Sequence, residues 1–279
     1  MILDNLRRSF FHFRSSGFKG LIKFLKLNKF ENNLFKAKKL NWNNLGYWEI
    51  NPKPLAEDLI KFYTEVYWLN NRVYKNNLLI SRDIDHFQFL KDKIPTKIKE
   101  KSIFLNYGAG HGGVSYLANA AKMDVINIEP ADVYKGKIDN FYNYKKLEDY
   151  IDKNKNLKKI DVLYSSHTVE HLNDPIELFK TILPMMDKLG IVIIEVPNCR
   201  IKNPDKNYHE GGCDGKITGS HILYFTKDFF EKITDKVYFF SNQIIENQSI
   251  EVFDENEADC LRVIMTKNEI ENFISKKFS

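Results

Sequence analysis

The sequence predicts an α/β protein built on a parallel, doubly wound sheet, and three observations carry that prediction. From residue 101 onward, short apolar β-rich runs alternate with helix-length segments, the order that packs helices on both faces of a parallel sheet. A glycine cluster, Gly108, Gly110, Gly112 and Gly113, lies between the first such run and the first such helix. Glycine there lets the chain turn tightly and brings backbone amides to the helix start. The last two apolar stretches, about 237–252 and 260–266, have no helix-length pattern between them, so they can pair antiparallel.

Taken in order, residues 2–30 read as amphipathic helix. Ile2, Leu6, Phe10 and Phe13 share one face, then Phe18, Ile22 and Leu25 another, with Lys19, Lys23 and Lys26 opposite. Gly17 and Gly20 separate two helical pieces. A helix over 54–70 opens with Pro54 and places Glu57 and Asp58 in its first turn, where the helix dipole favours acids. Tyr63 and Tyr67 then share a helix face, and a further helix is expected over 82–93. Strands follow at Ser102–Leu105, Val125–Ile128, Asp161–Tyr164, Ile191–Val196 and Leu261–Thr266, with helices near 113–122, 145–154, 175–188 and 227–234. The expected division is a helical N-terminal extension over residues 1–99 and a main domain over 100–279.

Charge is distributed unevenly. The 279 residues carry a net charge of +5. Residues 1–45 hold ten basic side chains, among them Arg7, Arg8 and Arg14, against the two acids Asp4 and Glu31. The remainder is therefore slightly acidic, which argues against a nucleic-acid-binding body and confines any contact with a membrane surface to the first segment. Three cysteines, Cys199, Cys213 and Cys260, make no disulfide framework and no CxxC pair. Free thiols fit a reducing, cytoplasmic setting, and no apolar run approaches the length of a membrane-spanning helix. Arg14, Lys19 and Lys23 interrupt any signal-peptide core.

The most informative stretch is Ser102-Ile-Phe-Leu-Asn-Tyr-Gly-Ala-Gly-His-Gly-Gly-Val-Ser-Tyr-Leu. Glu129 closes the next strand, in Val-Ile-Asn-Ile-Glu-Pro, where a carboxylate can accept hydrogen bonds from two ribose hydroxyls. A nucleoside-containing ligand is expected at the carboxyl end of the sheet. Gly108, Gly110 and Gly113 match the GxGxxG spacing of dinucleotide sites, while Gly108, Gly110 and Gly112 match GxGxG. The loop alone does not choose between them.

Five segments in register supply the context. They are Asn106-Tyr-Gly-Ala-Gly-His-Gly, Glu129, Asp161-Val-Leu-Tyr-Ser-Ser-His-Thr-Val-Glu-His-Leu-Asn-Asp-Pro, Leu189-Gly-Ile-Val-Ile-Ile-Glu-Val-Pro-Asn and His221-Ile-Leu-Tyr-Phe-Thr. Together they resemble the class I S-adenosylmethionine-dependent methyltransferases, in the branch that includes many small-molecule and sugar methyltransferases. The resemblance covers roughly residues 100–266. It implies a Rossmann-like, seven-stranded, mostly parallel sheet ending in an antiparallel hairpin, with S-adenosylmethionine as cofactor. It further implies cofactor contacts at Asn106, Tyr107, Gly108, Ala109, Gly110, Gly112, Glu129, Pro130 and Ser166, with Tyr63 and Tyr67 closing over the site. One position departs from the family's pattern: Asn106 stands where an acid is usual, keeping an acceptor but losing the charge that holds the methionine part. The acceptor implied is small, carbohydrate-linked or nucleotide-linked, and methylated on oxygen. Alternative readings are an RNA methyltransferase using the basic N-terminal segment and a non-catalytic nucleotide-binding protein.

A sulfonium donor is already activated, so the protein must supply an in-line acceptor, a dry site and, for a hydroxyl, a base. His167, directly after the strand 161–164, and His209, in the polar stretch 199–222 expected to fold over the acceptor, are the two catalytic candidates. His171 reads as mainly structural, His221 as a residue holding that stretch in place, and His111 as a loop residue whose backbone matters most. No ligand spacing is tight enough to assign a metal.

Overall fold

The computed structural model describes residues 22, 25–27, 29–31, 33–35, 39–67, 79–131, 141–153, 159–200 and 221–278. The helix expected over 2–30 falls mostly outside these residues; 25–27, 29–31 and 33–35 are helical. The chain then runs β1 (Lys39–Asn43), β2 (Tyr47–Asn51), α1 (Ala56–Lys61) continuing into a π-helical turn (Phe62–Tyr67), and α2 (Ser81–Lys93). The central part is β3 (Ile103–Tyr107), α3 (Gly113–Ala120), β4 (Asp124–Ile128), β5 (Phe141–Tyr144), α4 (Leu147–Lys153), β6 (Ile160–Ser166), α5 (Pro175–Ile182) and β7 (Met186–Pro197). It ends with β8 (Leu223–Phe225), α6 (Lys227–Glu231), β9 (Val237–Ile245), β10 (Gln248–Val252), β11 (Cys260–Thr266) and α7 (Lys267–Phe278).

The main sheet has eight strands in the order β10-β9-β11-β7-β6-β3-β4-β5. The ladders from β7 to β5 are parallel, and those joining β7, β11, β9 and β10 are antiparallel. This is the mostly parallel α/β sheet the sequence predicts, with one more strand. The stretch 237–252 is two strands, reversed at Glu246 and Asn247, whose φ values of 51° and 63° are the left-handed pair that a tight hairpin turn requires.

Alternating strand residues feed two cores. Leu105, Leu163 and Ile194 join the larger cluster with Trp48, Phe62 and Phe229. Their neighbours Phe104, Val162 and Ile193 join the smaller one with Phe87 and Leu90 of α2 and Val114 of α3. The helix expected over 175–188 stops at Ile182, because Pro184 has no N–H to continue it. A short turn, Leu183–Met185, leads straight into β7. The helix begins as its sequence dictates, with Pro175 in the first turn and the Asp174 Oδ1 accepting the Ile176 N–H at 2.8 Å.

Residues 39–51 contain structure that periodicity alone did not reveal. β1 and β2 form a hairpin, and β2 pairs with β8 to make a separate three-stranded sheet. Trp48 is buried in the larger core, so the early part of the chain packs directly against the segment after residue 221.

Candidate functional site

Strand order reverses between β3 and β6, because β4 and β5 lie on one side of β3 and β6 and β7 on the other. A crevice forms where two neighbouring strands send their connections opposite ways. Here it is a cleft of about 1170 Å³, at or just above the upper end of the ~300–1,000 Å³ usual for small-molecule sites. That volume leaves space for an acceptor beside a nucleoside.

The glycine loop forms one wall. Gly108, Gly110 and Gly112 have φ of 73°, 56° and 81°, the left-handed region that side chains disfavour, and Gly112 caps α3. Gly113 serves a different need, since a Cβ there would sit 2.0 Å from Asp83 Oδ2. The 108/110/112 spacing is therefore demanded by backbone conformation and Gly113 by packing. A Cβ on Gly108 would also strike Thr168 Oγ1 at 2.0 Å, and Thr168 Oγ1 donates to the Ser166 carbonyl at 3.1 Å. His111 contributes more than backbone: its Nε2 lies 2.9 Å from Asp83 Oδ2, which also accepts the Ile80 N–H at the start of α2. The imidazole thus ties the loop to that helix.

Glu129 follows β4 directly. Its Oε2 accepts the Gly110 N–H at 2.9 Å and its Oε1 the Ala131 N–H at 3.1 Å, so the carboxylate is fixed at the cleft rim. Beneath the loop, Asn106, Asn127 and Asn143 align across β3, β4 and β5. Asn106 Nδ2 donates to Ser115 Oγ at 2.8 Å, Ser115 Oγ donates to Asn127 Oδ1 at 2.6 Å, and Asn127 Nδ2 donates to Asn143 Oδ1 at 3.0 Å. Asn106 is thereby a buried member of a neutral chain of amides.

The opposite wall consists of rings. Tyr63 and Tyr67 lie 5.7 Å apart on the π-helical turn and pack edge-on against His171 at 5.3 and 6.1 Å. His171 in turn meets His221 at 5.0 Å. Burial, the nearby Glu170 and Tyr67 together push the Tyr63 hydroxyl well above its ordinary pKa, so it stays protonated. Burial first, then the neighbouring His171, lowers the His221 imidazole to about 3.

Behind this wall lies a charged network that motif reading did not single out. Ser166, Glu195 and Arg262 align across β6, β7 and β11. Arg262 bonds Glu195 through Nε and Asp85 through Nη2, and its guanidinium stacks 4.1 Å from the Phe240 ring centre. His86 faces Glu195 Oε2 at 3.1 Å and bonds the Tyr164 hydroxyl. His167 stands between two carboxylates, with Nε2 3.2 Å from Glu195 Oε1 and Nδ1 3.4 Å from Glu170 Oε1. Burial pulls its pKa down, but Cys260 and the facing carboxylates of Glu170 and Glu195 outweigh that and leave it well above the usual histidine range. Its φ of 49° is uncommon for a residue with a side chain. The signal for this network was a charge inside each apolar strand: Glu195 in Ile-Val-Ile-Ile-Glu-Val and Arg262 in Leu-Arg-Val-Ile.

Of the sequence-predicted site residues, Tyr63, Tyr67, Asn106, Tyr107, Gly108, Ala109, Gly110, Glu129, Pro130, Ser166 and His167 all line this one cleft. Gly112 lies behind it as the cap of α3, and His209 lies outside the described residues. The donor set suits a nucleoside-bearing sulfonium cofactor: amides at a helix start, a carboxylate fixed after β4 for a diol, and a glycine edge free of side chains.

Residues 82–239 match the family model of a methyltransferase domain. Among solved structures, a SAM-dependent methyltransferase from Archaeoglobus fulgidus shares 22% identity over 72% of this chain and 100% of its own, with a TM-score of 0.46. A SAM-dependent methyltransferase from Thermotoga maritima shares 14% identity over 75% of this chain and 99% of its own, with a TM-score of 0.49. The chain spans about half, 47%, of a methyltransferase from Galdieria sulphuraria, at 16% identity over 40% of this chain and a TM-score of 0.34. No curated protein sequence matches the chain. The match extends over more than half of the residues and contains the glycine loop, Glu129 and His167, and the chain belongs to the methyltransferase domain family, in the class whose methyl donor is S-adenosylmethionine.

Proposed function

We propose that this enzyme transfers a methyl group to an oxygen of a small, carbohydrate-linked or nucleotide-linked acceptor. The observation that carries this reading is the cleft's two unlike walls. One is the glycine edge with Glu129, and the other the polar rings of Tyr63, Tyr67, His171 and His221. Polar rings suit a hydroxyl-rich acceptor, which needs both stacking surface and hydrogen-bond partners. S-adenosylmethionine supplies a methyl group already activated by a positive sulfur. The chain's own residues then orient the acceptor in line and exclude water. In this reading the segment before residue 100 acts as a cap, giving Tyr63 and Tyr67 to the cleft, and the domain from residue 100 holds the cofactor.

His167 serves as a positioning residue here. Both ring nitrogens face carboxylates, Glu195 at 3.2 Å and Glu170 at 3.4 Å, so neither is turned toward an acceptor proton. His209 is the remaining histidine proposed as a base. The free thiols of Cys199 and Cys260 support a cytoplasmic setting, and no helix among the described residues is long and apolar enough to cross a membrane.

The test is calorimetry with S-adenosylmethionine, S-adenosylhomocysteine and NAD, followed by labelled-methyl transfer onto nucleotide sugars, free sugars and RNA oligonucleotides. The reading requires binding of the first two and label in the sugar-containing set. Binding of NAD alone would overturn the cofactor assignment. Label found only in RNA would overturn the acceptor class.

A further inference from the structure

The cleft wall facing the acceptor space holds a set of donors that the glycine-loop chemistry does not use. Glu170 and His171 lie in the short turn Val169–His171. His221 is brought to them because the Ile222 N–H donates to the Glu170 carbonyl at 2.9 Å. One atom from each side chain, a carboxylate oxygen and two imidazole nitrogens, falls within 4.8 Å of the other two. Glu170 Oε1 lies 3.8 Å from His171 Nε2 and 3.9 Å from His221 Nε2. Three ligands on a tetrahedral ion with bonds of about 2.1 Å would stand about 3.4 Å apart, which small rotations of two rings at the cleft surface can supply.

The carboxylate itself is the second observation. Glu170 is only 1% exposed, and neither of its oxygens receives a well-aligned hydrogen bond among the described residues. The nearest cationic nitrogen, His167 Nδ1, stops at 3.4 Å. A carboxylate taken out of water normally collects several hydrogen bonds, and one left short of them is costly. Its oxygens are open on the side where two imidazoles converge, as a ligand's would be.

We propose that Glu170, His171 and His221 hold a divalent first-row metal ion, of the zinc or manganese kind, with its free coordination positions toward the acceptor. Two imidazoles and one carboxylate are a donor set that such ions accept, and three protein ligands leave room for a fourth from outside. The proposal deepens the methyltransferase reading and rests on it for the ion's task. An acceptor hydroxyl reaching that ion loses its proton more easily. The proton passes to bulk solvent at the cleft mouth, and the freed electron pair on oxygen forms the new C–O bond. The pair of the breaking S–CH3 bond returns to sulfur, which leaves as a neutral thioether. Charge and atoms balance without a histidine base.

The experiment uses the full chain, stripped with a chelator, dialysed and titrated with Co²⁺ alone. The visible d–d absorption of the ion is followed, and S-adenosylhomocysteine affinity is measured on the same samples. We expect one Co²⁺ per chain, displaced by Zn²⁺, with affinity falling at least tenfold in His221→Ala and in His171→Ala. Near-UV circular dichroism checks their folding. Glu170→Gln should do the same; if that buried change unfolds the chain, the two histidine variants decide. No cobalt band in the intact protein overturns the proposal, as does a band that survives both histidine variants. A band lost in Cys260→Ser but kept in His221→Ala would place the ion at His167, Glu195 and Cys260 instead, and overturns it too. Failure to bind S-adenosylhomocysteine while the cobalt site stands would count against the cofactor reading and leave the metal site intact.

Discussion

Two polar rows cross the same face of the sheet, and they are built on opposite principles. Asn106, Asn127 and Asn143 run under the glycine loop as a neutral chain joined through Ser115. Ser166, Glu195 and Arg262 run under the histidine wall as a charged one, extended by Asp85, His86 and His167. A neutral row satisfies its own hydrogen bonds and leaves the field at the loop to whatever binds there. A charged row must balance itself, and here Asp85 and Glu195 face Arg262 and His167. The first row is tolerant of a ligand's charges, while the second is a rigid brace that fixes the end of β6 and His167 after it against β7 and β11. Changes in the two rows should therefore fail differently: the charged row in stability, the neutral row and its loop in binding.

The largest effect is expected from Glu195→Gln. It removes the carboxylate facing Arg262 and His167 in a fully buried setting, and breaking a buried pair from one side costs about 3–5 kcal/mol. Urea unfolding should show that loss, with cofactor affinity in the surviving folded fraction little changed. Equal stability of wild type and variant would mean the row is no brace.

Gly108→Ala should come next, and in the other observable. The new Cβ meets Thr168 in a left-handed backbone position, so the loop must deform. We expect about 2–3 kcal/mol, read as a loss of roughly 30- to 150-fold in S-adenosylhomocysteine affinity by calorimetry, with a smaller drop in melting temperature.

Acid separates the rows without mutation. Burial alone would raise the pKa of Glu195, but His86, Arg262 and the bond from His167 hold it well below the usual 4.5. A carboxylate with a lowered folded pKa binds its proton more readily in the unfolded chain, so its stabilisation is complete above about pH 4.5 and is lost as pH falls toward the folded value. The melting temperature should decline below that pH, and the decline should flatten in Glu195→Gln. The neutral row contributes nothing to it.

How much of this was visible beforehand follows the same division. The glycine loop, Glu129 and the strand–helix alternation depend on backbone geometry and local order, so adjacent residues spell them out. The ring wall and the charged row do not. Glu170 and His221, or Glu195 and Arg262, meet only after the sheet has formed, and their spacing along the chain carries no periodic mark. Two local signals were nonetheless present. A lone acid inside Ile-Val-Ile-Ile-Glu-Val states that something on a neighbouring strand neutralises it. Asn43-Asn-Leu-Gly46 between aromatic runs marks the turn of the β1–β2 hairpin. The extra strand β10 was hidden because only Glu246 and Asn247 separate it from β9.

Asn106→Asp tests the neutral row itself and pits its two properties against each other. Asn106 donates to Ser115, which donates onward to Asn127. An aspartate has no such donor, so Ser115 must turn toward it and leave Asn127 Oδ1 short of a bond, at about 1 kcal/mol. If Asn106 lies under the methionine end of the cofactor, the same change puts a negative charge beneath that end's ammonium group. Affinity for S-adenosylmethionine should rise several-fold while the melting temperature falls by a few degrees. A fall in both would mean that the row matters for its hydrogen bonds alone.

The smallest change, Tyr63→Phe, separates the ring wall from both rows. The ring keeps its edge contacts with Phe62 at 5.1 Å, Tyr67 at 5.7 Å and His171 at 5.3 Å, so stability should move by less than about 1 kcal/mol. Only the hydroxyl goes. If that hydroxyl closes over the cofactor, its removal costs one hydrogen bond, about 0.5–1.5 kcal/mol, or roughly two- to tenfold in the KM for S-adenosylmethionine with kcat nearly unchanged. If Tyr63 is there for packing, KM and kcat both stay at their wild-type values, and the wall's contribution to the cleft reduces to the shape of its rings.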